Sequence, residues 1–273
     1  MTRRGTALIA LVLLILLAGC TTILGPDPAD PEALSTEATY TYDSDTDAFI
    51  VIDREQYTAV YNVSARVTGD ETSMTFHRTD MLTIERPLEL EALQFRFPNG
   101  TMVKYIDGNP TKVYEDGSTE QVDTFEVDTT RQRTIVELPA DEGQIAFTTP
   151  KTGKQIMVHT PVHGSYQVAL PPNTDAAIPL LSQVQPSNDD RSADGDRVHL
   201  HWDEITTDVL VIRWYLDRDL WLFGGLAGGL TILGIGGVIY YYRQIQRAQE
   251  RREQYGFDVD QDDDRDPPPP GMR

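Results

Sequence analysis

The chain has 273 residues and a formal net charge of -20 at pH 7. Residues 21–219 hold 35 acidic and 15 basic side chains, a difference of -20, so the whole excess sits in that segment. So acidic a surface excludes nucleic acid as a partner, because no basic stripe neutralises phosphates, and a single cysteine excludes an intramolecular disulfide.

The first residues, Met1-Thr2-Arg3-Arg4-Gly5, lead into an apolar run that ends at Ala18. That run is too short to cross about 30 Å of hydrocarbon and reads as a signal peptide over residues 1–19. Arg3-Arg4 is similar to a twin-arginine export signal, although Thr6 and Ala7 stand where apolar residues are expected. Leu17-Ala18-Gly19-Cys20 resembles a lipobox, which implies cleavage before Cys20 and a lipid on its thiol. Residues 20–38 follow as a tether, stiffened by Pro26, Pro28 and Pro31.

From residue 39 to 215 the pattern is that of a β-rich exterior domain. Tyr57, Ala59, Tyr61, Val63, Ala65 and Val67 alternate with more polar neighbours, the period of a strand with one buried face. Similar runs recur around residues 73–85, 94–97, 102–106, 122–127, 133–138, 144–149, 155–160, 165–170, 197–202 and 208–215. Turn signals such as Asn99-Gly100, Asp116-Gly117 and Lys151-Thr152-Gly153 separate them. The expected fold is mainly β, a β-sandwich-like domain, with one short helix at Ala176 to Val184. Pro186 to Asp196 reads as a polar loop, and an alternative places a boundary between two small β domains there.

Residues 220–242 carry no charge and, at 1.5 Å per residue, span about 34 Å as a helix, enough to cross a bilayer. Trp214, Tyr215 and Trp221 on one side and Tyr240, Tyr241 and Tyr242 on the other read as aromatic belts. Arg243, Arg247, Arg251 and Arg252 then place the C-terminus in the cytoplasm by the positive-inside rule. The spacing of Gly224 with Gly228 and Gly225 with Gly229 lets a second helix approach closely, either from another membrane protein or from a second copy. Residues 243–273 form a cytoplasmic tail whose aspartates and four prolines cannot bury a core.

Chemistry-bearing motifs are sparse. His199 and His201 share one face of a strand, a spacing that zinc or copper sites use, but Val198, Leu200 and Trp202 take the apolar face and leave both imidazoles among polar groups. His159 and His163 flank Pro161, which rules out a regular helix aligning them. Asp43, Asp45 and Asp47 resemble the start of a calcium loop, yet Ala48 stands at its glycine and Arg54 at its bidentate glutamate. No nucleophile elbow, zincin helix, phosphate loop or dinucleotide fingerprint occurs, so no enzyme activity and no cofactor is expected. Asn62-Val63-Ser64 and Asn99-Gly100-Thr101 match the N-glycosylation sequon.

Four lysines, Lys104, Lys112, Lys151 and Lys154, stand against nineteen arginines, a bias that accompanies dense carboxylates in salt-adapted proteins. The lipobox, the acidic strand-rich domain, the single C-terminal helix and the arginine-then-acidic tail together resemble uncharacterised halobacterial membrane-anchored lipoproteins, a family defined by a domain of unknown function. The resemblance covers essentially the whole length and implies a high-salt cell surface but no activity. The expectation is a noncatalytic binding or scaffolding module in a membrane complex; the alternatives are a solute- or metal-binding receptor and an extracellular hydrolase.

Overall fold

A computed structural model of the chain describes residues 28–65, 72–79 and 84–256. The signal segment, Cys20 and most of the tail lie outside the described residues. In chain order, a one-turn helix α1 (Pro31–Leu34) precedes β1 (Ala48–Ile52), β2 (Gln56–Asn62), β3 (Ser73–Thr79), β4 (Glu85–Pro87), β5 (Glu91–Arg96), β6 (Met102–Ile106), β7 (Asn109–Val113) and β8 (Thr119–Gln121). Then come β9 (Val127–Thr129), β10 (Thr134–Glu137), β11 (Gln144–Pro150), β12 (Gln155–His159), β13 (Gly164–Ala169) and β14 (Thr174–Asp175). The series ends with β15 (Gln183–Gln185), β16 (Asp190–Asp194), β17 (Arg197–Ile205), β18 (Val209–Arg213), β19 (Tyr215–Leu216) and the long helix α2 (Asp217–Gly256).

The fold is mainly β, in several sheets, as the alternation predicts. A ten-stranded sheet runs β16-β17-β13-β1-β2-β11-β5-β6-β7-β8, and smaller sheets run β4-β3-β10-β9, β12-β18-β15 and β14-β19. β1 and β13 pair in parallel, whereas β2, β11 and β17 join their neighbours antiparallel.

One face of the large sheet packs on the smaller ones. Ile50, Tyr61, Phe147, Tyr166 and Trp202 of the large sheet share a core with Phe76 of the four-stranded sheet and Ile156, Leu210 and Ile212 of the three-stranded sheet. Phe76 meets Phe147 edge-to-face at 4.9 Å between ring centroids, so the two layers are locked by aromatic contact. Each such ring removes enough apolar surface from water to contribute roughly 2–3 kcal/mol. Tyr57, Ala59 and Tyr61 are buried as the alternation requires.

Val60 is buried too, on the opposite face, and the alternation alone gives no reason for it. The reason is a strap: Tyr40 packs on Val60, Ala92 and Ala146, with Ala38 and Tyr42 beside it. A register shift between β11 and β5 puts Ala92 at φ 51, and the Tyr40 hydroxyl donates to its carbonyl at 2.8 Å. Gln94 Nε2 donates to the Ala38 carbonyl and Gln144 Nε2 to that of Tyr42, so two sheet side chains hold the strap's backbone.

Three local expectations change. The described part of the expected tether folds: Asp30 accepts from the Glu32 amide at the start of α1, and Leu34 is buried. Ala176 to Val184 holds no helix; Asp175 Oδ1 takes the amides of Ala176 and Ala177, a turn follows, and β15 begins at Gln183. Pro186 to Asp196 contains β16, which pairs with β17 and joins the large sheet, and the strand-bearing part of the chain to Asp217 forms one compact unit rather than two. Its acidic, fully exposed composition reads as a loop, but charge on an edge strand also keeps foreign strands from pairing there.

Candidate functional site

In a domain this acidic, a place where cations gather without carboxylates is conspicuous. The turn joining β11 to β12 carries Lys151 and Lys154, and it borders a groove of about 620 Å³ that Arg78 of β3 and Arg213 of β18 also line. Among the described residues, no carboxylate lines it. Its floor is apolar, formed by Tyr57, Leu88 and Ile156, each less than 9% exposed. The volume falls within the range that seats small ligands.

The four cations are held differently. Lys151 Nζ lies 4.9 Å from the centre of the Trp214 ring and donates to the carbonyls of Arg54 and Gly153. Burial lowers its pKa, with the Asp53 carboxylate opposing that shift. Lys154 is exposed, and its carbonyl accepts the Trp214 amide. Arg213 faces Gln155 and Gln183 across the ladders, both neutral. Arg78 approaches Glu89 at 3.8 Å, but both side chains are more than half exposed, and such a pair contributes about 0–1 kcal/mol. The sequence held a signal for this groove: two of the four lysines stand three positions apart in one turn.

A second feature joins two sheets. His77 of β3 stacks on His159 of β12, with ring centroids 4.1 Å apart. His159 Nδ1 donates to the Asp208 carbonyl at 3.0 Å, and His77 Nδ1 is buried without a partner. Burial first, then the neighbouring imidazole, push the His159 pKa down to about 4, and burial lowers that of His77 as well. Glu85, held ionised by its hydrogen bond from Arg133, stands 3.9 Å from His77 Nε2. The sequence offers no hint of this pair, because the residues lie far apart in the chain.

His199 Nδ1 meets Gln167 Nε2 at 3.0 Å, while His201 Nε2 approaches Asp203 at 3.3 Å, so the two imidazoles answer to different neighbours. Asp47 is consumed by the fold: its Oδ2 accepts from the amide and hydroxyl of Ser165, and a Cβ at Gly164 would strike that carboxylate. Among the described residues, no group of three His, Cys, Asp or Glu side chains is arranged to hold a metal ion. Asn62 Oδ1 accepts from the Ser64 amide and hydroxyl and is half-buried, whereas Asn99 is exposed at a hairpin turn and accepts from the Thr101 amide.

The long helix α2 runs unbroken for 40 residues, Asp217–Gly256. Residues 220–251 are all exposed, and none of the apolar window within Asp217–Arg251 is buried, so it is not a core helix; it is a candidate membrane span. Gly224, Gly225, Gly228 and Gly229 fall within about 140° of arc in its first half. Gly234 and Gly237 lie on the other side, where they shape a shallow notch with Tyr241 and Ile245. The expected aromatic belt is smaller on the N-terminal side: Trp214 and Tyr215 are buried in the strand-bearing unit, the first against Lys151 and the second in β19, and Trp221 alone is exposed there.

No curated protein and no solved structure matches the chain. A family model matches residues 44–260, a range that takes in every described strand and the apolar helix. The β unit and the helix both fall within this one match, and the chain belongs to the family of unknown function (DUF5803).

Proposed function

We propose that this protein is a noncatalytic binding or scaffolding module of the cell surface, anchored in the membrane by α2. The observation that carries the reading is the apolar stretch of α2, none of it buried, fused to a folded acidic β unit within one family match. In water such a helix would leave Leu222, Leu226, Leu230 and Leu233 more than 60% exposed, an apolar surface that requires lipid or a partner. Arg243, Arg247 and Arg251 follow it, so the β unit faces outward and the C-terminus faces the cytoplasm. Cys20 supplies a second, lipid anchor, and the surrounding medium is concentrated salt, which the charge of -20 suits.

The glycine face around Gly224, Gly225, Gly228 and Gly229 gives this module its means of assembly, a close helix pair in the bilayer with a second membrane protein or a second copy. Asn99, exposed at its turn, is the better placed of the two sequons for a glycan.

Alkaline carbonate extraction of membranes from cells producing the full chain tests the anchor. Retention in the pellet, with a C-terminal tag protected from protease in intact cells, is the expected result; release into the supernatant overturns it. Gly228→Leu, read by crosslinking in intact cells, tests assembly: loss of the crosslinked species supports pairing through this face, and an unchanged pattern removes it.

A further inference from the structure

The groove between the β11–β12 turn, β3 and β18 concentrates charge against the trend of the whole domain. Lys151, Lys154, Arg78 and Arg213 line it, and no described carboxylate does. Two carboxylates stand near the groove without lining it: Asp53, which pairs with Arg197 and also acts on Lys151, and Glu89, in a long, exposed contact with Arg78. An acidic protein that gathers half its lysines at one groove creates a local positive potential in a negative field, which steers and holds an anion.

The floor narrows the ligand class. Tyr57, Leu88 and Ile156 are apolar or aromatic and nearly closed to solvent, and Met157 and Pro150 extend that surface. A fully hydrated inorganic anion gains nothing from such a floor, whereas an amphiphile places its charge on the rim and its hydrocarbon on the floor. Chain continuity points the same way. Only Trp214, Tyr215 and Leu216 separate Arg213 from the first residue of α2.

From these observations we infer that the groove binds the phosphate headgroup and glycerol-proximal hydrocarbon of an anionic lipid. Lys154 and Arg213 grip the phosphate by charge-assisted hydrogen bonds. Lys151, fixed on Trp214, supplies a preset charge behind them. Arginine and lysine on one rim combine a planar fork with a compact point charge, a pairing suited to phosphate.

The inference extends the membrane reading above but is tested apart from it, because the detergent-solubilised chain binds or fails to bind whether or not α2 crosses a bilayer. The full chain in a nonionic detergent is titrated with dioctanoyl phosphatidylglycerol, with dioctanoyl phosphatidylcholine and with inorganic phosphate, and thermal unfolding and native mass spectrometry are followed. Saturable stabilisation by phosphatidylglycerol, with little from the other two, is the expected result. Lys154→Gln with Arg213→Gln weakens that binding about tenfold or more, since each lost contact to a charged group carries over 1 kcal/mol. Lys154→Arg with Arg213→Lys retains it, and so does the control Lys104→Gln with Lys112→Gln, which removes equal charge from β6 and β7. Equal binding of both lipids, full stabilisation by inorganic phosphate alone, or undiminished binding in the Lys154→Gln, Arg213→Gln variant overturns the assignment.

Discussion

The His159 ring lies 4.1 Å from that of His77, and the two come from different sheets. Both imidazoles are held neutral, since burial outweighs the attraction of Glu85 and Asp208, and Arg133 opposes a positive charge on either ring. Between the unfolded histidine pKa of 6.5 and the folded value of about 4 for His159, the unfolded chain binds more protons than the folded one. Stability conferred by the neutral pair is therefore complete above pH 6.5 and is lost as pH falls toward 4, on the order of 2 kcal/mol given the partial exposure of His159. Denaturant titrations at pH 7.5, 5.5 and 4.5 measure that slope. His159→Gln, which keeps a donor for the Asp208 carbonyl, flattens it, and a slope identical to wild type would sink this account.

Tyr40 fastens the strap through its hydroxyl, which donates to the Ala92 carbonyl and lies 3.0 Å from Thr148 Oγ1. Tyr40→Phe keeps the ring on Val60 and Ala146 but leaves the carbonyl and hydroxyl buried without their partner. The expected cost is about 1–2 kcal/mol. Amide exchange in residues 37–43 should accelerate more than in β1, and uniform acceleration would count against a separate strap.

Phe76→Ala removes the ring that touches both Tyr61 and Phe147 across the layers. Phe76 is 2% exposed, so a cavity remains, and the expected loss is about 3–5 kcal/mol in equilibrium unfolding. Ile84→Ala, at a side chain 47% exposed, serves as the comparison and should cost far less.

The charge of -20 predicts a salt response. Raising sodium chloride from 0.1 M to 2 M shortens the screening length to a few ångströms and relieves carboxylate repulsion. The melting temperature of the full chain should rise by roughly 5 °C or more, equivalent to about 2 kcal/mol for a chain of this size. A flat or falling melting temperature would contradict adaptation to salt.

Strands with one covered face were legible because their alternation is the direct trace of that burial. Met102–Ile106 matches residue for residue, and Arg197–Ile205 has Leu200 and Trp202 buried where the pattern puts them. β1 was missed since Ala48–Ile52 is an apolar run, Ala-Phe-Ile-Val-Ile, whose alternate members are half-buried rather than polar. β16 was hidden by its charge. The groove and the histidine stack depend on which sheets face each other, and local periodicity carries nothing about that; only the clustering of Lys151 and Lys154 was visible beforehand. Trp214 illustrates the opposite error, a residue assigned to the bilayer by its position beside an apolar run when its ring is in fact packed under Lys151.

Ile50 pairs with Ala59 on one side and Val168 on the other. The first partner is made within a few residues of β1, the second only after most of the domain has been synthesised. Until β13 arrives, β1 has a bare edge, and β17 and β16 beyond it have nothing to dock on. Closing such a long loop in parallel is slow and leaves an open edge available to wrong partners. Completion of the large sheet therefore waits on its one parallel seam, and the order in which the strands are synthesised sets how long that edge stays bare.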